Sequence, residues 1–279
     1  MPKWALAYLA LTLVALAIGF EKAMTAPTEA TMGNLYRVFF YHLPHAIISF
    51  VFPYLNCVAS FAYLYWRNRD ADRAAAADAF ALASAEMTVL YASIGLATGS
   101  LWGRAAWGIW WAWDARMTTY LLLWLLYVSY LILRGVSATG QTGVISAVLA
   151  IFAAIDVPIC FMSIRWWRTQ HPAPVFGDGG SVDPVFFPAL LWNMAAWAMW
   201  GGIPAGNALC GGTPSATPGC RLCGRFSGQR HCGRSGGRTM IPFHTLSERH
   251  LVYAYCAVWL LQFGYGIWLA VQWRKSSGP

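Results

Sequence analysis

Trp107-Gly108-Ile109-Trp110-Trp111-Ala112-Trp113-Asp114-Ala115-Arg116 places four indole rings in seven positions and ends on an acid and a base. Arg104, Asp114 and Arg116, in or beside it, exclude a segment that crosses hydrocarbon, where each charge costs about 2.5–3.5 kcal/mol or more. Its density of large aromatics excludes an ordinary polar loop. Indole rings favour the membrane–water interface, so the stretch predicts an amphipathic platform at a membrane surface. A flat, aromatic, partly charged surface there suits a flat, amphipathic ligand.

The rest of the chain has the composition of a membrane protein. Of its 279 residues 58% are hydrophobic and only 11% charged, against about 25% charged in soluble domains. This predicts an all-α, polytopic membrane helical bundle with no sizeable soluble domain. The net charge of +8 fits basic cytoplasmic loops and carries no nucleic-acid signal. Cys57, Cys160 and Cys256 lie in apolar runs as packed thiols, and the other four cysteines fall in one unusual segment.

Working outward from the tryptophans, six apolar runs of spanning length appear at residues 4–20, 43–66, 80–101, 119–133, 144–164 and 185–203. The first lacks a clear small-x-small site at its end and is read as a helix rather than a cleaved signal. The fifth is interrupted by Asp156 and Pro158. A seventh run, at 251–273, follows an irregular linker. Lys3 and the Arg67, Arg69 and Arg73 loop mark the cytoplasmic side. Loops 21–37, 102–118 and 165–183 then share the outer face.

Two histidines lie beside the tryptophan loop by this count: His42, just before the second span, and His171, after the fifth. Neutral imidazoles are good iron ligands, and two of them flanking an aromatic shelf suit the axial faces of a haem. Arg104, Arg116, Arg165 or Arg168 would pair with propionates. The competing reading of each histidine is an interfacial ring that bonds water and headgroups. The competing reading of the tryptophans is an aromatic belt. His45, one turn beyond His42, is an equal candidate from the residues alone.

Taken together, residues 107–118 (WGIWWAWDARMT) resemble the tryptophan-rich WWD signature of haem-handling membrane proteins. The match is to the haem exporter protein C family of bacterial cytochrome c maturation. Supporting motifs are Phe40-Tyr41-His42-Leu43-Pro44, Thr98-Gly99-Ser100-Leu101-Trp102-Gly103, Asp156-Val157-Pro158 and Arg165-Trp166-Trp167-Arg168-Thr169-Gln170-His171-Pro172. The resemblance covers about residues 1–200. It implies six helices with both ends in the cytoplasm, in the bacterial inner membrane. It also implies His42 and His171 as axial ligands of haem b at the periplasmic face, so it selects His42 over His45. Trp107, Trp110, Trp111, Trp113 and Asp114 would form the haem platform. The protein would present haem to a membrane-anchored haem chaperone, assisted by a one-span subunit and an ATP-binding transporter pair. It would be an assembly factor, not a hydrolytic enzyme.

Glu86 and Asp156 are acids inside spans, and each needs a partner or a wet cavity. One reading is a polar pocket reaching up to the haem site; the other is a structural hydrogen bond between helices. Asp156 would satisfy backbone groups freed by Pro158.

Residues 1–203 thus read as one haem-handling membrane domain, and beyond them the composition changes abruptly. Residues 204–239 are rich in Gly, Cys, Arg, Ser and Pro. Cys220-x-x-Cys223 with His231-Cys232 has a short spacing and little apolar packing, which argues against zinc. Residues 240–279 resemble the one-span haem exporter protein D family, through Ala254-Tyr255-Cys256-Ala257-Val258-Trp259 and the aromatics up to Tyr265. A seventh span continuing the same count would strand Arg274 and Lys275 outside. Two readings of 204–239 follow: a wrong-frame segment joining two neighbouring genes, or a natural fusion through a disordered linker.

Overall fold

The computed structural model describes residues 3–136, 142–172 and 182–210, and part of a helical stretch between Val252 and Ile267. The helices are α1 (Lys3–Thr25), α2 (Phe39–Trp66), α3 (Ala71–Trp107), α4 (Ala115–Val136), α5 (Thr142–Ala154), α6 (Asp156–Trp166) and α7 (Phe187–Cys210). Short 3-10 turns lead into α2 (Asn34–Val38) and α7 (Pro184–Phe186). Among the described residues, five stretches are long and apolar enough to cross a membrane: α1, the 3-10 turn with α2, α3, α4, and α5 with α6. The sixth expected run lies in α7. Segment 211–239, with Cys220, Cys223, His231 and Cys232, falls outside the described residues.

The helices are longer than their apolar cores predict. Polar residues prolong α1 past residue 20, where Lys22 pairs with Glu21 at 3.3 Å and Thr25 Oγ1 donates to the Glu21 carbonyl. α3 begins nine residues before the expected span because residues 74–77 are alanines, the best helix formers. The Asp70 carboxylate caps that start by accepting from Arg73 N at 3.0 Å. α3 also runs on to Trp107, so the loop expected at 102–118 is corrected to residues 108–114. Gly108, at φ +77°, stops the helix in the left-handed region that glycine tolerates, and its N–H bonds the Arg104 carbonyl.

Packing is carried by close antiparallel pairs. α2 and α3 share the largest interface, and α1 lies against α7. The α1–α7 seam is fixed by Tyr8 OH donating to Met199 O at 2.7 Å and by Asn193 Nδ2 donating to Gly19 O at 2.8 Å. Arg134 makes a two-pronged ion pair with Asp78, at 2.6 and 2.7 Å, tying the far end of α4 to α3. Large apolar side chains such as Val58, Phe61, Ile132 and Phe152 point outward, as a bilayer-facing surface requires.

The fifth span breaks where the sequence predicts. Ile155 forms a turn between α5 and α6, with Asp156 and Pro158 in the first turn of α6. Asp156 is buried, but its Oδ2 has no hydrogen-bond partner among the described residues. That oxygen therefore does not compensate the backbone at Pro158.

Glu86 is engaged in a contact between helices. Its Oε2 accepts from Tyr265 OH at 3.1 Å, and Gln262 Nε2 lies 3.1 Å from His45 Nε2. Trp197 meets Trp259 with ring centroids 5.7 Å apart. Three contacts thus seat the described residues of the last helical stretch against α2, α3 and α7.

Candidate haem site

A cavity of about 700 Å³ opens at the end of the bundle that carries the tryptophan loop. It lies within the ~300–1,000 Å³ typical of small-molecule sites. His42, His171, Trp107, Trp111 and Arg116 all line it. Its lower rim is made by Val51, Tyr54 and Phe161, which are exposed on the apolar flank.

His42 stands in the first turn of α2, and α3 fixes its ring. Nδ1 lies 2.9 Å from Thr98 Oγ1, and that hydroxyl spends its own hydrogen on the Ile94 carbonyl at 2.7 Å. The hydroxyl can then only accept, so Nδ1 must carry the ring proton and Nε2 keeps its lone pair. This is the tautomer a metal-binding histidine needs. Gly99 lets the ring sit close, because a Cβ there would lie 3.1 Å from His42 Cε1. Trp102 packs edge-on at 5.7 Å between centroids, at 82° to the imidazole.

His171 reaches the same state by another route. It sits in the irregular segment after α6, with Nδ1 2.9 Å from the Pro172 carbonyl. A carbonyl only accepts, so again Nδ1 donates and Nε2 is left with its lone pair. Partial burial, followed by the positive charge of Arg116, lowers the His171 pKa and favours the neutral, ligating imidazole.

His45, by contrast, has both ring nitrogens engaged. It is fully buried, its Nδ1 bonds the Tyr41 carbonyl at 2.6 Å, and Gln262 occupies its Nε2. It does not line the cavity.

The four candidate arginines separate. Arg116, in the first turn of α4, lines the cavity; it donates to Cys160 O at 2.6 Å and lies 5.2 Å from the Phe50 ring centroid. Arg104 turns back to the Gly108 carbonyl. Arg165 is exposed and stacks on Phe161 at 5.7 Å, and Arg168 is exposed. The tryptophans separate too: Trp107 and Trp111 line the cavity, while Trp110 and Trp113 are 54% and 77% exposed on the outer side of the loop. Glu86 and Asp156 are not in the lining, so the acids do not extend the cavity into a polar pocket.

The donor set fits a haem. Two imidazole lone pairs, a cation and an apolar, aromatic wall share one cavity. Two lining rings, Trp102 and Trp111, also hold buried Nε1–H groups without a partner among the described residues. Such donors suit the carboxylates of an amphipathic macrocycle. The sequence marks residues 98–103 as a motif leading into the tryptophan loop but gives Thr98, Gly99 and Trp102 no individual contact with His42. The available signal was Thr98-Gly99 inside an apolar span, since a mid-helix glycine costs about 1 kcal/mol unless something must approach closely.

Comparison with known proteins shows the family. The family described as "Heme exporter protein C" matches residues 1–204. The chain belongs to the haem exporter protein C family. Among its relatives, "Heme exporter protein C" of Bradyrhizobium diazoefficiens is 38% identical over 193 residues, covering 68% of this chain and 71% of that protein. The protein of the same name from Escherichia coli K12 is 32% identical over 194 residues, covering 68% and 76%. That from Haemophilus influenzae is 34% identical over 186 residues, covering 66% and 71%. The family match stops at residue 204, where the composition changes.

Proposed function

We propose that this chain binds haem b at the periplasmic face of a bacterial inner membrane. It then hands the haem to a membrane-anchored haem chaperone of cytochrome c maturation. The observation that carries this reading is the matched pair of histidines: both have Nδ1 committed to an acceptor and Nε2 left for a metal, on one cavity. Iron held between two imidazoles is coordinatively saturated, which suits carriage and delivery rather than bond-breaking catalysis. The residues of this chain bind and orient: Trp107 and Trp111 wall the cavity, Arg116 offers a propionate contact, and exposed Trp110 and Trp113 offer an apolar face to the chaperone.

In this reading residues 240–279 act in cis as the one-span subunit, through the His45–Gln262 and Glu86–Tyr265 contacts. An ATP-binding transporter pair would release the loaded chaperone. The test is to express the full chain with an apo-chaperone and stain a denaturing gel for haem. Haem on the chaperone, lost when its acceptor histidine is replaced, supports delivery. A chaperone band without haem stain, while this chain co-purifies with haem under native conditions, rejects it.

A transporter moving haem across the bilayer is the alternative. It would need polar lining through the depth of the bundle, but Glu86 and Asp156 lie outside the cavity lining. The imidazoles and Arg116 sit at one end. Haem accumulating inside inverted vesicles that carry only this protein would favour the transporter.

A further inference from the structure

The acid of the tryptophan motif does not face the cavity as a ligand, and its two oxygens are both engaged. Asp114 Oδ1 accepts from Met117 N at 2.9 Å, capping the first turn of α4. Asp114 Oδ2 accepts from Gln170 N, also at 2.9 Å, across 56 positions of sequence. Gln170 is the residue before His171. The segment 167–172 has no regular structure. Among the described residues, the bond from Gln170 is the one hydrogen bond that joins 168–172 to another element. One carboxylate therefore fixes both the end of the tryptophan loop and the backbone that carries the second imidazole.

We propose that Asp114 is a positioning residue for His171: its Oδ2 anchors the Gln170 amide and so holds the imidazole at the cavity that Trp107 and Trp111 also line. This rests on the reading of His171 as an axial ligand. A backbone N–H bonded to a carboxylate is stronger than one bonded to a neutral acceptor. An irregular segment without such an anchor samples many backbone states. Outer partners of metal-binding histidines typically change metal affinity by about 10–100-fold.

The discriminating variant is Asp114→Asn. Asparagine is as good a helix cap as aspartate, so its single amide oxygen keeps the Met117 bond. Its NH2 cannot accept from Gln170, so the anchor alone is cut. Gln170→Pro cuts the same bond from the other side and leaves Asp114 intact. In the haem-free full chain, amide hydrogen exchange over 166–172 is expected to rise in both variants, with the first turn of α4 unchanged in Asp114→Asn. In the haem-loaded protein, both are expected to shift from a six-coordinate low-spin spectrum toward high spin, and added imidazole to restore the low-spin form. His171→Gly is the reference. If it alters the spectrum while Asp114→Asn and Gln170→Pro match the native protein in exchange and spectrum, the anchor is wrong and the ligand assignment stands. If His171→Gly leaves the spectrum unchanged, the ligand reading falls and takes the anchor with it.

Discussion

His42 Nδ1 and Thr98 Oγ1 lie 2.9 Å apart, and the Thr98 hydroxyl already donates to Ile94 O. This fixes the ring proton on Nδ1 and leaves Nε2 for a metal. Replacing Thr98 by Val removes the acceptor while keeping the shape. Haem affinity is expected to fall about 10–100-fold, as for other outer partners of metal-binding histidines. Thr98→Ser, which keeps the hydroxyl, is expected to stay near native. Haem titration of the purified protein measures both.

Gly99 sets how close α3 comes to that ring. A Cβ at Gly99 would lie 3.1 Å from His42 Cε1, so Gly99→Ala asks the imidazole to move by a few tenths of an ångström. A modest loss of haem with a shifted low-spin band is expected. Gly99→Leu is expected to empty the site in a protein that still purifies as a folded membrane species by size exclusion.

Arg116 should differ from the other arginines. It alone among the four candidates lines the cavity. Arg116→Met is expected to lower haem retained per protein several-fold. Arg165→Gln and Arg168→Gln, at exposed positions, are expected to leave it unchanged. Haem-to-protein ratios after detergent purification decide this.

Glu86 makes a helix contact away from the cavity lining. Its carboxylate bonds Tyr265 OH at 3.1 Å and is absent from the cavity lining. Glu86→Gln keeps an acceptor for that hydroxyl and is expected to leave haem occupancy at the native level. A clear fall in occupancy would bring Glu86 into the site.

The sequence carried the class and the span order, because apolar runs and basic loops report directly on the bilayer. It also brought the tryptophan stretch, His42 and His171 to one face through the alternation of spans. It could not separate His42 from His45 without the family resemblance, since the difference lies in which nitrogen is capped by a residue 217 positions away. It placed Trp102 in a loop, because a helix that runs past the apolar core into the interface looks like a loop to hydropathy. It grouped Trp107, Trp110, Trp111 and Trp113 as one platform, whereas Trp107, at the end of α3, and Trp111 line the cavity and Trp110 and Trp113 are exposed. Sorting the four arginines needed side-chain directions that charge patterning does not contain.

The central claim is that His42 and His171 together hold the iron. The direct measurement is the optical spectrum of the haem-loaded full chain, native and with His42→Ala, His171→Ala and both. The account predicts a six-coordinate low-spin spectrum for the native protein, loss of that form in either single variant, and loss of haem in the double variant. A double variant that retains haem with the native low-spin spectrum would contradict it.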